Sequence, residues 1–382
     1  MCIRDRAARP CKLLLRPCKL LLAIAAASHA TNWGGLRNQG NTCYLNSLLQ
    51  TLFHVPALRS DVLGRPAEPR GVLARLRTAP RPARALADVF KRLAQNATAQ
   101  TRGLTRALGV SGLQQQDAQE YLRLLVGELC EDAALGDRVR SCYEGRAENF
   151  LEATDAEAER LGERPAKIRE EAFLDVSLDV EAEDGTVEGA LQRYLEPEIL
   201  DGENRWASPA GRCAARKGVR FARLPSVIVL HLKRFAYDYM RDEVQKKGAP
   251  LRVPFRLPAA AFERAAPVAE AAESESEEGE EAVAPAGAEE APPDDDRDPY
   301  LLHAVVVHVG GGRGGHYYAY VDPLLDGRWV KFDDDRVSAA DARVVAAEAA
   351  GAELGGGNSV GAYLLQYVRA SEAPRLGLRG EL

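Results

Sequence analysis

No two cysteines in this 382-residue chain are spaced as CxxC. The seven present (Cys2, Cys11, Cys18, Cys43, Cys130, Cys142, Cys213) are an odd number scattered over a long sequence. That pattern excludes a zinc ribbon and argues against a disulfide framework, so a reducing compartment is the natural setting. Histidine is scarce as well, six in all, and each can be tested in turn as a base. The basic residues are dispersed arginines rather than a Lys-rich stripe with interleaved aromatics, which leaves nucleic-acid binding without a footprint.

What is present is enough for a globular core: 46% of residues are hydrophobic, sufficient for one large domain or two ordinary ones. The net charge of -6 is unevenly placed, because residues 263–299 hold fourteen acidic residues against Arg264 and Arg297. That segment carries -12 and the remainder +6. Having no aromatic residue and little beyond Ala, Glu, Asp, Pro, Ser and Gly, it reads as a disordered loop between strands.

Residues 1–32 read as a leader outside the fold, either targeting or non-native. Arg9 to Leu15 is repeated directly as Arg16 to Leu22, and the apolar run that follows is too short to span a bilayer.

The informative stretch is Gly35 to Gln50. A Gly- and Asn-rich turn runs into Leu45, Leu48, Leu49, Leu52 and Phe53, the spacing of a buried helix face. Cys43 therefore sits where a helix begins, with Asn41 or Thr42 as its cap. First-turn amides and the helix dipole favour a thiolate there, which makes a nucleophile. A core cysteine on an ordinary helix fits the same stretch equally well, so the choice rests on a partner base.

Residues 59–110 read as broken helices. Ser111-Gly112-Leu113 then caps a helix over 114–129, with a core face of Ala118, Tyr121, Leu122, Leu125 and Leu129, and with Asp117 and Glu120 projecting together from another face. Strands follow at 173–180 and 226–235, then at 301–309, 316–321 and 328–332, and 361–369 closes the sheet. Helices first and an antiparallel sheet afterwards indicate an α+β domain.

Among the histidines, His54 shares the Cys43 helix but lies roughly 16 Å along its axis. His29 belongs to the leader, and His231 sits inside an apolar strand. His303 and His308 lie on one strand and face opposite sides of it. His316 opens a strand directly after Gly314-Gly315, where backbone approaches closely and the ring is aimed outward, which makes it the best base. Asp333 to Asp335 stand at the end of the next strand, placed to orient it. Gly310, Gly312 and Gly315 also match GxGxxG, but a strand rather than a helix follows, so no nucleotide site is implied.

These motifs together resemble the ubiquitin-specific proteases. The Cys43 stretch is similar to their Cys box, and Gly314 to Tyr320 with Trp329 to Asp334 to their His box. Gln115 to Glu120 and His231 to Phe235 match as well, the whole covering about residues 33–369, with 370–382 as a tail. The resemblance implies a papain-like α+β fold with helical thumb, sheet palm and strand fingers. It implies Cys43 as nucleophile, His316 as base, Asp333 as its orienting acid and Asn38 as oxyanion donor beside the Cys43 amide, with Asp334 in support. Asp117, Glu120, Gln116, Tyr317 and Phe235 fall where the family holds the ubiquitin tail.

The implied activity is hydrolysis after the last glycine of ubiquitin, with ubiquitin and ubiquitinated proteins as partners, no nucleic acid, no membrane, no cofactor and no metal. Only Cys213 lies where relatives carry finger zinc ligands. Cytoplasm or nucleus is the expected location. Leu195 to Trp206 and Arg216 to Phe221 look most like the herpesvirus-associated subgroup. The alternatives are action on another ubiquitin-like modifier and a catalytically silent ubiquitin-binding scaffold.

Overall fold

The computed structural model describes residues 33–64, 82–240, 242–263, 298–312 and 314–379. The leader and residues 264–297 of the acidic segment lie outside the described residues.

The apolar run at 226–235 explains the architecture. Val227 and Val229 pack with the N-terminal helices, while Ile228, Leu230 and Leu232 pack into a second core on the opposite face. A strand buried on both sides must lie inside a covered sheet. Its neighbours are Asn358–Arg369, antiparallel, and Val176–Asp179, parallel. The sheet continues outward from Asn358–Arg369 through Tyr300–Gly311, Gly314–Val321 and Val330–Asp333 to Arg336–Ala339, all antiparallel.

This is the palm. One face carries the thumb helices Cys43–Phe53, Pro56–Gly64, Pro82–Leu93, Ala118–Cys130 and Gly136–Tyr143. Leu45, Leu48, Leu49 and Leu52 are buried there in the same cluster as Val229, Val306 and Leu364. Helices Val187–Leu195 and Ala342–Ala350 cover the other face through Val187, Leu191, Val345 and Ala349. The fingers are a separate four-stranded sheet, ordered Ala166–Phe173, Gly145–Ala153, Ala215–Arg223, Glu198–Leu200. Among the described residues no helix is long and apolar enough to cross a membrane.

Several expected elements are corrected. The helix expected from Gln114 starts at Ala118, because the Asp117 carboxylate accepts from the amides of Gln119 and Glu120 at 2.7 and 3.1 Å and makes the stronger cap. Residues 111–117 precede the helix as an irregular segment. The run 173–180 is split between fingers and palm at Leu174-Asp175, where the buried Asp175 carboxylate accepts from Arg123 and Gln119. Asn358–Arg369 does not close the sheet but lies inside it. His303 and His308 face the same side, toward the thumb: register shifts at Leu302/Ala304 and Val306/Val307 change which residues share a face. His303 accordingly reaches the His54 carbonyl, while His308 packs on Phe235 and Tyr317.

The run 226–235 is also broken, at Arg234, which is 1% exposed. Its guanidinium donates to the carbonyls of Ala362 and Ala249 at 2.8 Å and of Ala350 at 3.2 Å. Among the described residues no carboxylate is paired with it, and burial lowers its pKa to about 10. Replacing Arg234 with Met should leave these carbonyls unmet and lower stability by about 3 kcal/mol, read as a lower urea midpoint at unchanged slope.

His54 and His303 are a second buried pair. His54 Nδ1 donates to the Gln50 carbonyl at 2.8 Å, and His303 receives Gln366 Nε2 at 2.9 Å on Nδ1. Burial pushes His54 down to about 3 and His303 to about 4. Both stay neutral in the fold while the unfolded chain takes up their protons below about pH 6.5. Stability is therefore lost as pH falls from that value toward 4. The His54→Phe variant should remove about 1.4 kcal/mol per pH unit of that slope, measured by chemical denaturation across the range.

Candidate active site

The turn before Cys43 is built against the turn after the Val330–Asp333 strand. Leu36 N donates to the Asp334 carbonyl at 2.8 Å, and a Cβ on Gly35 would lie 2.6 Å from the Asp335 Cα. Gly35 is therefore needed for close approach rather than for flexibility. Asp334 adopts a left-handed φ of 56°, and its carboxylate accepts from Asn38 Nδ2 at 2.9 Å and Asn46 Nδ2 at 2.7 Å. Asn38 Oδ1 in turn accepts from the amides of Gly40 and Thr42 at 2.9 and 3.1 Å.

Thr42 is the N-cap of the Cys43–Phe53 helix, but its hydroxyl does not bond the first-turn amides; it accepts from Gln39 N at 2.9 Å instead. The expected capping bond is thus spent on shaping the turn. Cys43 itself is 3% exposed.

His316 comes from the sheet. Its strand pairs with Val330–Asp333 in the register Ala319↔Phe332, which sets Asp333 opposite Tyr318, the next residue after His316 on the same face. His316 Nε2 lies 2.7 Å from Asp333 Oδ1. The neighbouring Cys43 side chain and then Asp333 raise the imidazole to about 9, against an opposing effect of partial burial. Gly315 is required behind the ring, since a Cβ there would meet the Val309 carbonyl oxygen at 2.2 Å and His308 Nε2 at 2.4 Å.

Around this row, Asp117 accepts from the Tyr363 hydroxyl, and Tyr317 lies against His308 and Tyr363 with ring centroids 4.6 and 5.7 Å apart. Phe235 is 5.6 Å from Tyr363. Asp117, Tyr317 and Phe235 thus converge on Tyr363. Asp117 does not project freely with Glu120, because its carboxylate caps the helix while Glu120 remains exposed. Gln116 is half-buried in the segment leading to that cap.

Two residues of the site escaped the sequence reading. Lys246 Nζ donates to the carbonyls of His308 and Ser359 at 2.8 and 2.7 Å, pinning the hairpin that carries Phe235 to the strands beside His316; burial lowers its pKa to about 7. No local signal marked it. Gln115 Nε2 donates to the Gly315 carbonyl at 3.0 Å and to Cys43 Sγ at 3.6 Å; its place in the Gln115 to Glu120 motif was the available signal. Among the described residues, His316, Asp333 and Asp334 alone group their donor atoms as a metal site would, and those atoms are engaged with one another, Asn38 and Asn46.

The arrangement is a thiol with a hydrogen-bonded imidazole and an orienting carboxylate, the apparatus for nucleophilic acyl transfer. The profile of the ubiquitin carboxyl-terminal hydrolase family matches residues 34–367. Ubiquitin C-terminal hydrolase 12 of Arabidopsis thaliana is 34% identical over 91% of this chain and 30% of its own length. Ubiquitin carboxyl-terminal hydrolase 7 of Drosophila melanogaster is 31% identical over 92% of this chain and 29% of its own. Ubiquitin carboxyl-terminal hydrolase 15 of Schizosaccharomyces pombe is 33% identical over 89% and 28%. The chain spans less than a third of each relative's length. Helical thumb, sheet palm and fingers, the Cys43–His316–Asp333 row and the matched profile lead to one conclusion: the chain belongs to the ubiquitin carboxyl-terminal hydrolase family.

Proposed function

We propose that the protein is a deubiquitinating cysteine peptidase that cleaves the isopeptide or peptide bond after the C-terminal glycine of ubiquitin. The observation that carries this reading is the His316 imidazole set between Cys43, which raises its pKa, and Asp333, 2.7 Å from its Nε2, in a chain whose relatives are named for ubiquitin hydrolysis. His316 takes the Cys43 thiol proton and becomes the imidazolium, and the sulfur lone pair forms the S–C bond while the carbonyl π pair moves onto oxygen. Collapse re-forms the carbonyl and breaks C–N, and the His316 imidazolium gives its proton to the departing amine. Water then attacks the thioester, His316 takes its proton, and the Cys43 thiolate leaves.

Asn38 supports the oxyanion through Nδ2, which carries two hydrogens and gives one to Asp334. Asp117, Tyr317 and Phe235, with Glu120 and Gln116, form the tail channel, its floor held by Lys246. Ubiquitinated proteins are the partners, and the catalytic unit runs over 33–369. The likeness of Leu195 to Trp206 and Arg216 to Phe221 to the herpesvirus-associated subgroup supports membership of that subgroup. A reducing cytoplasm or nucleus suits the free thiols Cys43, Cys130, Cys142 and Cys213.

Cys43→Ala should abolish hydrolysis of a ubiquitin C-terminal fluorogenic amide while keeping ubiquitin binding by calorimetry; turnover by that variant would sink the mechanism. The imidazolium is the acid for the leaving amine and is held to about 9, so kcat should fall on an alkaline limb near that pH. Asp333→Asn removes one of the interactions that raise it, so the limb should move to lower pH and kcat should drop about 10²-fold. An unmoved limb contradicts the role of Asp333.

A further inference from the structure

Gln115 Nε2 lies 3.6 Å from the Cys43 sulfur, and three observations bear on it. The segment carrying it is fixed at both ends: Asn41 N and Nδ2 donate to the carbonyls of Gly112 and Leu113 at 3.0 and 2.6 Å, and Asp117 begins the next helix. Both Nε2 hydrogens have acceptors, the Gly315 carbonyl and Cys43 Sγ, so the amide is oriented rather than free to rotate. The carboxamides of Asn38 and Asn46 each give a hydrogen to Asp334.

We propose that Gln115 is a catalytic residue: its side-chain amide donates first to the Cys43 thiolate and then, as the S–C bond forms and charge leaves the sulfur, to the carbonyl oxygen that receives it. An N–H that meets the charge developing on that oxygen lowers the barrier without tightening substrate binding. A neutral amide suits the position, because it stabilises the thiolate without competing with His316 for the proton. Its second bond also holds Gly315, the residue before His316, so one side chain spans the cleft from thumb segment to palm strand. The assignment rests on the peptidase reading for its substrate, but not for the sulfur contact.

The test compares wild type with Gln115→Met, which keeps length and loses both donors. With a ubiquitin fluorogenic amide, kcat should fall about 10²-fold at nearly unchanged KM, and ubiquitin affinity measured in the Cys43→Ala background should be unchanged by adding Gln115→Met. Without any ubiquitin, the ultraviolet thiolate band abolished by iodoacetamide should be weaker in Gln115→Met than in wild type at neutral pH. A wild-type kcat, or a loss confined to KM and affinity, overturns the proposal. If the wild type itself fails to cleave the ubiquitin amide, the peptidase reading falls, and the thiolate band still decides: an unchanged band overturns the role of Gln115 and a weakened band supports it. Should Gln115→Met fold poorly by thermal melt, Gln115→Glu serves instead, since it keeps the shape and replaces the donors with acceptors, and the same kcat and band losses are expected.

Discussion

A backbone hydrogen bond 2.8 Å long, from Leu36 N to the Asp334 carbonyl, joins segments almost 300 positions apart, and the candidate site depends on that junction. It sets the turn that leads into Cys43 against the turn that follows Asp333. The left-handed Asp334 then presents its carboxylate to Asn38 and Asn46, so the turn and the first helical turn are referenced to the same acid. A short polar side chain tolerates that backbone conformation, whereas a β-branched one would be strained. Thumb and palm are thereby located relative to each other before any substrate arrives.

The rest of the molecule makes this junction rigid. A sheet buried on both faces fixes the plane of the His316 strand, and a helix with an entirely buried leucine face fixes Cys43 above it. The buried Arg234 and the half-buried Lys246 take the place of side-chain packing where strands end and carbonyls would otherwise go unpaired. Such clamps cost desolvation, visible in the lowered pKa values of both, and they are retained where loop geometry has to be held.

Much of this was legible in the sequence. Leucine spacing marked the Cys43 helix, and the glycine pair and the following strand end singled out His316 and Asp333, which the fold sets 2.7 Å apart, because those signals are local periodicities and turn residues. Most of the misreadings share a cause. Strand breaks at Asp175 and Arg234, and the common facing of His303 and His308, are decided by polar partners or register shifts distant in sequence, whereas the helix start at Ala118 is set by the local Asp117 cap. Asp117 looked like a free acid since its acceptor role toward Gln119 and Glu120 requires the cap geometry, and Gln115 looked like one glutamine among three. Only the folded chain distinguishes it, by bringing Cys43 within 3.6 Å.

The central claim is that Cys43 is a nucleophile served by His316 and directed at the ubiquitin C terminus. It is tested most directly by treating the protein with a ubiquitin vinyl-sulfone probe and locating the adduct by peptide mass spectrometry. The account predicts a single covalent ubiquitin on Cys43, lost in the His316→Ala variant. Absence of an adduct on a folded protein, or its attachment to another cysteine, would contradict it.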